Sequence, residues 1–424
     1  MERSSNIPGF YKLSPSERLA VVRKFANLTD EEVNTIAYPA ALPLNLADRM
    51  IENVIGIMPV PLAVAVNFHI NGRDYMIPMA IEEPSVVAAA SHAAKLARVK
   101  GGFTAVSTEP IMIGQMQVLD VKDPYAARVM LLAEKEKILA QANAQDPVLV
   151  GLGGGARDLD VKVIHTAQGP MVIAELLVDC RDAMGANAVN TMVEAVAPLV
   201  AEIARGRVLL RILSNLATRR IARARAVIDK EALGGGSVVD DIIAAHAFAA
   251  SDPYRCATHN KGIMNGVTAV VLATGNDTRA VEAGAHAYAA RSGHYSPLTS
   301  WEKNEESDLV GSIEIPTAVG LVGGATASNP VARLAVKILG VKTAREFGGV
   351  LASVGLAQNF AALRALAKEG IQRGHMSLHA RNIAVAAGAQ GELIDIVAER
   401  MVQERKIRID RAREILAQTS PNRQ

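Results

Sequence analysis

Hydrophobic and polar positions divide the N-terminal part of the chain into two short helices, a hairpin and a longer helix. The spacing of a capping box recurs at residues 14–17 and 29–32, which predicts the start of a helix at each. Asn71-Gly72 separates two strand-like runs and predicts a tight hairpin turn. An alanine-rich segment with Pro84 in its first turn predicts a buried helix, and Glu83 then lies at its N-terminal end.

Residues 109–215 follow a different order of periodic segments: strand, helix, strand, strand, helix, strand. This order predicts a ferredoxin-like βαββαβ unit. We therefore predict an α+β fold, in which a large, mainly helical domain (1–108 and 216–371) is interrupted by a small domain at 109–215. Residues 372–424 are amphipathic and begin near Gly374. They form either a mobile C-terminal flap or an ordinary docked pair of terminal helices.

Composition excludes several classes of protein. Lys and Arg number 45 against 43 Asp and Glu, and only 4% of residues are aromatic, so nucleic acid is not an expected partner. The two cysteines form no CxxC pair and suit a reducing compartment. Neither a signal peptide nor a run of eighteen uncharged apolar residues occurs, and we predict a cytoplasmic protein without a membrane association.

Three glycine-rich segments could approach a ligand closely. Residues 151–156 match the dinucleotide-binding fingerprint GxGxxG/A, but the sequence that follows alternates like a strand, so we interpret them as a loop outside any Rossmann fold. Residues 182–187 end a strand and open a helix, where backbone amides could receive a phosphate; a plain turn is the alternative. Residues 320–326 carry less information by themselves.

The segment DPYRCATHNKGIMNG, residues 252–266, contains Lys261 among polar residues and shows no helical or alternating period. We interpret it as part of a site. Asp277 could be a helix N-cap, and Glu83 could be only a favourable charge at a helix start. His375 and His379 are four residues apart, but no third metal ligand is evident, so an acid/base role for one of them is preferred over a metal site.

Seven segments in one order, ENVIG, EEPS, DAMGAN, DPYRCATHNKGIMNG, TGND, GLVGGAT and GHM, resemble those of hydroxymethylglutaryl-coenzyme A (HMG-CoA) reductases of the soluble bacterial class. The resemblance covers nearly the whole chain. It implies a large helical domain interrupted by a ferredoxin-like cofactor domain, a mobile C-terminal flap, and a homodimer with each active site built across the interface. It also implies that the partners are HMG-CoA, mevalonate and coenzyme A.

The resemblance also assigns roles to residues of the matching segments. Lys261 would hold the reacting carbonyl oxygen, supported by Glu83 and Asp277, and His375 would protonate the departing thiolate. The remaining residues that it implies bind either the substrate or the nicotinamide cofactor: Glu52, Ser85, Arg255 and Asn265 for the substrate; Asp182, Met184, Gly185 and Asn187 for the cofactor. No metal ion is implied.

Asp146 bears on the choice of cofactor. The resemblance places it near the adenosine ribose, where a carboxylate binds a 2′-hydroxyl but repels a 2′-phosphate, so NAD(H) is predicted over NADP(H). Asp146 could instead merely terminate a helix. Three hypotheses follow: an NADH-linked reductase that works in mevalonate breakdown, a biosynthetic NADPH-preferring reductase, and a coenzyme A-binding acyl-transfer enzyme without redox chemistry.

Overall fold

The computed structural model describes residues 4–37, 42–368 and 371–419, without the side chains of 368 and 371–378. Helices account for 51% and strands for 21% of the chain. The N-terminal elements are α1 (Pro15–Ala26), α2 (Asp30–Ala37), α3 (Leu44–Ala47), the hairpin β1 (Leu62–Ile70) and β2 (Arg73–Ala80), and α4 (Val86–Arg98). Both capping boxes and the Asn71-Gly72 turn are present, so these predictions are confirmed.

A six-stranded sheet organises the larger part of the molecule. It adds to the hairpin the strands β3 (Phe103–Ser107), β8 (Ile221–Ile228), β9 (Thr299–Lys303) and β10 (Leu309–Pro316), in the order β2-β1-β3-β8-β10-β9. The 25-residue helix α15 (Ala344–Lys368) packs across the sheet, and α11 (Pro253–Ala273) packs against α15. Their shared core is almost wholly aliphatic and aromatic.

Four further helices surround this core: α9 (Lys230–Leu233), α10 (Gly236–Ser251), α12 (Thr278–Ala289) and α14 (Pro330–Leu339), with the short α13 (Gly324–Ser328) before α14. The sequence analysis did not predict β8, β9 or β10. The sequence of β8, IARARAVI, is rich in alanine and arginine, which have little preference for strands. Its pairing with β3 and β10 on both edges is what makes it a strand.

A four-stranded sheet carries the second core. Its elements are β4 (Ile111–Leu119), α5 (Pro124–Ala133), α6 (Lys135–Asn143), α7 (Pro147–Gly151), β5 (Gly155–Thr166), β6 (Gly169–Asp179), α8 (Ala186–Ala204) and β7 (Arg207–Ser214). The antiparallel strand order β5-β6-β4-β7 is that of a ferredoxin-like unit, as predicted. The first helix is broken at Glu134 into α5 and α6, where one helix was expected.

The C-terminal segment contains α16 (Ile371–Ala386), α17 (Leu393–Gln403) and α18 (Ile409–Thr419). These helices enclose a small hydrophobic cluster of their own. The domain boundaries given above, and the movement of this segment, stay predictions.

Within the described residues, one helix, at 344–367, is long and apolar enough to cross a membrane by length and composition alone. Because 67% of that window is buried inside the protein, it also fits the core helix that lies against the six-stranded sheet.

Candidate active site

Lys261 and Glu83 form an ion pair at the centre of the candidate site. The Lys261 Nζ atom lies 2.9 Å from Glu83 Oε2, although the residues are 178 positions apart. Their side chains are 60% and 35% exposed, so the pair can be reached from solvent. Lys261 projects from α11, and Glu83 lies just before α4. The packing of these two helices therefore brings together two of the residues predicted from the sequence.

Residues 253–266 of the segment at 252–266 lie within α11, and our interpretation of the segment as non-periodic was wrong. Asp252 caps α11 by accepting a hydrogen bond from the Arg255 amide at 2.8 Å, and Pro253 occupies the first helical position. The polar residues His259 and Asn260 belong to the buried face of α11. Because they interrupt the apolar period, the sequence pattern concealed the helix.

His259 holds α11 against the sheet. Its Nε2 atom lies 2.8 Å from Thr299 Oγ1 and 3.2 Å from Asn359 Nδ2, and the residue is 2% exposed. Burial lowers the pKa of His259 to about 3, with a further contribution from the charges of His246 and Arg255. The imidazole is therefore neutral at physiological pH and acts as a packing residue.

Ser85 adopts an unusual conformation immediately before α4. Its φ of 75° lies in the left-handed region, which costs free energy for a residue with a side chain. The Oγ atom is buried and has no hydrogen-bond partner among the described residues. A strained backbone and an unpaired buried hydroxyl at the same residue are typical of a site that receives a polar ligand.

Arg255 and Asn265 are half-buried on α11. Asn265 is four residues after Lys261 and shares its side of the helix. In the part of the chain that the structure describes, neither side chain forms a hydrogen bond or an ion pair within the protein. Both retain their donor groups for a ligand.

Asp277 is the N-cap of α12. Its Oδ1 atom accepts hydrogen bonds from the amides of Arg279 at 3.0 Å and Ala280 at 3.2 Å, and the carboxylate also pairs with the Arg279 guanidinium. Burial raises the pKa of Asp277, but the hydrogen bonds from Arg279 and Ala280 outweigh it and leave the pKa below its usual value. No hydrogen bond joins Asp277 to Lys261 or Glu83 among the described residues. The structure thus places it in the capping role, and its catalytic role stays a prediction.

The turn at residues 182–187 is fixed between the two cores. The Asp182 Oδ1 atom accepts a hydrogen bond from the Ala344 amide at 2.7 Å. The backbone carbonyl of Asp182 accepts one from the Leu321 amide at 2.8 Å. The buried guanidinium of Arg220 donates to the carbonyls of Ala183 at 3.0 Å and Met184 at 3.1 Å. This turn ends a strand and opens α8, as predicted.

Two glycines allow the motif segments to meet. A Cβ atom on Gly320 would lie 2.4 Å from the Met184 amide nitrogen, so only glycine fits there. The Gly320 amide also donates to Asn276 Oδ1 at 2.7 Å. Gly185 has a φ of 104°, and a Cβ atom on it would lie 2.3 Å from Cys180 Sγ. The segments TGND, GLVGGAT and DAMGAN therefore converge, with the exposed Asn187 on the first turn of α8.

Asp146 caps α7, since its Oδ1 atom accepts a hydrogen bond from the Leu149 amide at 2.9 Å. Asp146 lies at the start of this short helix. The alternative expected from the sequence was that it terminates the preceding helix. The second carboxylate oxygen has no hydrogen bond with a described residue. Asp146 can therefore be both a cap and a ligand-binding residue.

Two predicted site residues are not joined to this arrangement. Glu52 lies in an exposed loop, where several neighbours are exposed and apolar: Ile51, Ile55, Ile57 and Met58. His375 belongs to α16, but its side chain lies outside the described residues. The positions of both relative to Lys261 stay predictions.

The sequence analysis missed two residues of α15. Gln358 is 5% exposed, contacts Gly266 of α11, and its Oε1 atom is buried without a partner among the described residues. The Arg364 Nε atom is likewise unpaired, and Arg364 lies close to His92, whose pKa is lowered by partial burial and by the charges of Arg364 and Lys95. No signal in the apolar sequence of α15 distinguishes these positions, because their significance comes from unpaired atoms in the folded protein.

Among the described residues, no group of three or more His, Cys, Asp or Glu side chains is arranged to hold a metal ion. A nicotinamide nucleotide fits better: the turn at 182–187 offers backbone amides, a glycine with positive φ and the N-terminus of a 19-residue helix.

The chain is similar to known proteins along most of its length. The family model for hydroxymethylglutaryl-coenzyme A reductase matches residues 14–380. The 3-hydroxy-3-methylglutaryl-coenzyme A reductase of Archaeoglobus fulgidus is 60% identical over 413 residues, 97% of this chain and 94% of that protein. A probable reductase of the same name from Borreliella burgdorferi is 37% identical over 365 residues, 84% of this chain and 82% of that protein.

Solved structures give the same result. A Streptococcus pneumoniae reductase of this name is 39% identical, with a TM-score of 0.83 and coverage of 97% of this chain and 99% of that one. A class II reductase from the same organism, bound to NADPH in open conformations, is 41% identical, with a TM-score of 0.82 and coverage of 85% and 99%. The chain belongs to the hydroxymethylglutaryl-coenzyme A reductase family.

Proposed function

We propose that this oxidoreductase interconverts HMG-CoA with mevalonate and coenzyme A by two hydride transfers, with NADH preferred and with mevalonate breakdown as its role. The observation that carries the proposal is the solvent-accessible ion pair of Lys261 with Glu83, together with the unpaired polar groups of Ser85 before α4 and of Arg255 and Asn265 on α11. This arrangement offers one ammonium group and several free donors to a small anionic substrate.

Lys261 would stabilise the charge that develops during reduction. Each addition of hydride to a carbonyl carbon places negative charge on its oxygen, and a fixed ammonium group lowers the free energy of that transition state. Glu83 holds Lys261 at 2.9 Å and keeps it oriented. The nicotinamide nucleotide supplies the hydride when it is bound.

His375 would act on the leaving group. A coenzyme A thiolate departs more readily when an imidazolium protonates its sulfur, because the conjugate thiol has a pKa of about 8.5. His375 and Gly374 belong to α16, at the start of the C-terminal segment. A movement of this segment would allow spent nucleotide to exchange while the intermediate is retained.

Two cations suit the phosphates of coenzyme A. Lys95 of α4 forms no ion pair with a described residue, and Arg364 of α15 has an unpaired Nε atom. Ser85 directly precedes the helix of Lys95, and Gln358 lies on the helix of Arg364. We propose that Lys95 and Arg364 contact the phosphates of the bound thioester.

The preference for NADH depends on Asp146. Asp182, Met184, Gly185 and Asn187 would hold the nicotinamide half of the nucleotide, and the free oxygen of Asp146 would accept from the ribose 2′-hydroxyl. The NADPH-bound relative from Streptococcus pneumoniae supports the alternative, a biosynthetic NADPH-preferring reductase.

We further propose a cytoplasmic homodimer. The loop around Glu52 exposes Ile51, Ile55 and Met58, with Ile55 fully exposed. Such a group of apolar side chains is typical of an interface. A second copy would bring Glu52 to the substrate, in agreement with the predicted site across two chains.

The test is an absorbance assay at the nicotinamide band. Purified protein is mixed with HMG-CoA and either NADH or NADPH, and separately with mevalonate, coenzyme A and NAD. Turnover with NADH and in the reverse direction supports the proposal, and turnover with NADPH alone supports the biosynthetic alternative. Absence of turnover with both nucleotides would favour the non-redox acyl-transfer hypothesis.

A further inference from the structure

Two arginines lie beside the glycine-rich loop at residues 151–155, which the mechanism above does not use. Arg157 occupies a bulge in β5, and Arg181 follows the end of β6. Both guanidinium groups donate from Nη2 to the carbonyl oxygen of Gly153. Two cations therefore meet at one neutral acceptor.

The charge of this arginine pair is only partly compensated. The Oδ2 atom of Asp179 lies 3.6 Å from Arg157 Nη2 and 3.2 Å from Arg181 Nη2. One carboxylate against two guanidinium groups leaves one positive charge. Each guanidinium also has five N–H donors, and the Arg181 Nε is buried without a partner among the described residues. Spare charge and unused donors match the several oxygens of a phosphate group.

Arg181 has a strained backbone, because its φ of 50° lies in the left-handed region. Gly153 and Gly155 have φ of 78° and 101°, which glycine adopts without that cost. A non-glycine residue in the left-handed region and a β-bulge beside it are features that folds keep at functional positions. Both guanidinium groups lie at the same loop, with 45% and 41% of their side chains exposed.

The position of the pair identifies a ligand, and this step rests on the proposed function. Arg181 directly precedes Asp182, which we assign to the nicotinamide half. On its other side, Gly154 packs so closely on Leu149 that a Cβ atom would lie 2.7 Å from Leu149 Cδ1. The Leu149 amide in turn donates a hydrogen bond to Asp146, which we assign to the adenosine half of the cofactor. The arginine pair thus lies between the two ends of the cofactor site.

We propose that Arg157 and Arg181 bind the pyrophosphate of the nicotinamide dinucleotide. The pyrophosphate connects the two halves of the dinucleotide and carries negative charge on both phosphates. The glycine-rich loop then has a role, although it opens a strand where the Rossmann fingerprint would open a helix.

The test measures dissociation constants of NADH and NADPH, by fluorescence of the reduced nicotinamide, for the wild type, Arg157→Gln, Arg181→Gln and the double variant. Loss of charge-assisted hydrogen bonds predicts that both constants rise by the same factor, about ten- to a hundredfold. The dependence of binding on salt concentration should also weaken, which a merely structural defect would not cause. Arg181→Lys should recover part of the affinity.

Arg205→Gln is the matched control. Arg205 has the same φ of 50° but lies at the opposite end of α8, about 28 Å away along the helix. Its removal should leave both constants unchanged. Thermal unfolding of each variant identifies any loss of fold.

The outcomes separate the inference from the function. Unchanged binding of both nucleotides by the folded double variant would overturn the inference and leave the proposed function intact. Weaker binding of NADPH alone would show that the pair contacts the 2′-phosphate, and the pyrophosphate assignment would be wrong. A wild-type protein that binds neither nucleotide would remove both proposals together.

Discussion

At the scale of residues, the proposed chemistry depends on side chains that the protein leaves without internal partners. Ser85 Oγ and Gln358 Oε1 are buried and unpaired among the described residues. An unpaired buried polar group costs about 1–3 kcal/mol, so such groups persist where a ligand completes them. Lys261 differs, because Glu83 keeps its charge in place before substrate arrives.

Replacing Lys261 with Ala tests the catalytic assignment. We expect kcat to fall by about a hundred- to a thousandfold, since the oxyanion would lose its charged donor. Nucleotide binding and thermal unfolding should change little. Lys337→Ala, which removes an exposed lysine paired with Glu32, is the control and should keep full activity. Near-normal turnover of Lys261→Ala would exclude the proposed role.

Asp146 has a capping role and a proposed role in cofactor choice, which substitution can separate. Asp146→Asn keeps an oxygen to cap α7 but removes the charge, whereas Asp146→Ala removes both. We expect the ratio of kcat/KM for NADH over NADPH to fall about tenfold in both variants, because a like-charge contact with a 2′-phosphate is lost. Only Asp146→Ala should lose stability, by ~1 kcal/mol. If the ratio stays constant in both, the charge of Asp146 does not select the cofactor.

At the scale of elements, α11 organises the site. One face carries Lys261 and Asn265, and the opposite face is fixed by His259 to the sheet and by packing on α15. The start of the helix is set by Asp252 and Pro253. Small shifts at this start therefore move Lys261, the proposed catalytic lysine.

Asp252→Ala tests this coupling. Loss of the cap should lower the free energy of unfolding by about 0.5–2 kcal/mol and also reduce turnover, since Arg255 and Lys261 lose their fixed positions. Asp123→Ala is the control, because Asp123 and Pro124 begin α5 in the same way and α5 carries none of the predicted site residues. It should cost similar stability without a change in turnover. Equal turnover in both variants would show that the Asp252 cap does not fix the position of Lys261.

At the scale of the whole molecule, two sheets with separate cores are joined at the converging motif segments. The buried Arg220 and the half-buried Asp182 make hydrogen bonds across this junction. Beneath the large sheet, His246 and His259 lie with ring centroids 5.8 Å apart. Burial lowers the pKa of both imidazoles.

These histidines predict how stability depends on pH. The pKa of His259 is about 3 in the folded protein and near 6.5 in the unfolded chain. Between these values the unfolded chain binds a proton that the folded protein does not. The free energy of unfolding should therefore fall as the pH drops below 6.5, by at most ~1.4 kcal/mol per pH unit for this group.

Denaturant unfolding at several pH values from 7.5 to 4.5 measures this dependence. His259→Gln should make it shallower, whereas His165→Gln, at an exposed position in β5, should follow the wild type. A slope that is the same in all three proteins would assign the acid sensitivity to other groups.

Short-range sequence patterns predicted much of the secondary structure correctly. Capping boxes, the Asn71-Gly72 turn and the βαββαβ order each depend on residues close together in the chain, and the structure agrees with them. The motif segments were also sufficient to indicate the family, which the comparisons show. The pairing of Glu83 with Lys261 followed from that resemblance, since nothing in the spacing of 178 residues indicates a contact.

Tertiary structure decided the rest, because long-range packing determines it. The strand β8 exists through its neighbours, the polar residues of α11 are helical because their partners are buried with them, and Asp277 caps α12 without a hydrogen bond to Lys261. The sequence by itself determined the local elements and the types of chemical group present. Which groups meet, and which remain unpaired, as at Ser85 and Arg181, depends on contacts between distant segments that no local pattern encodes.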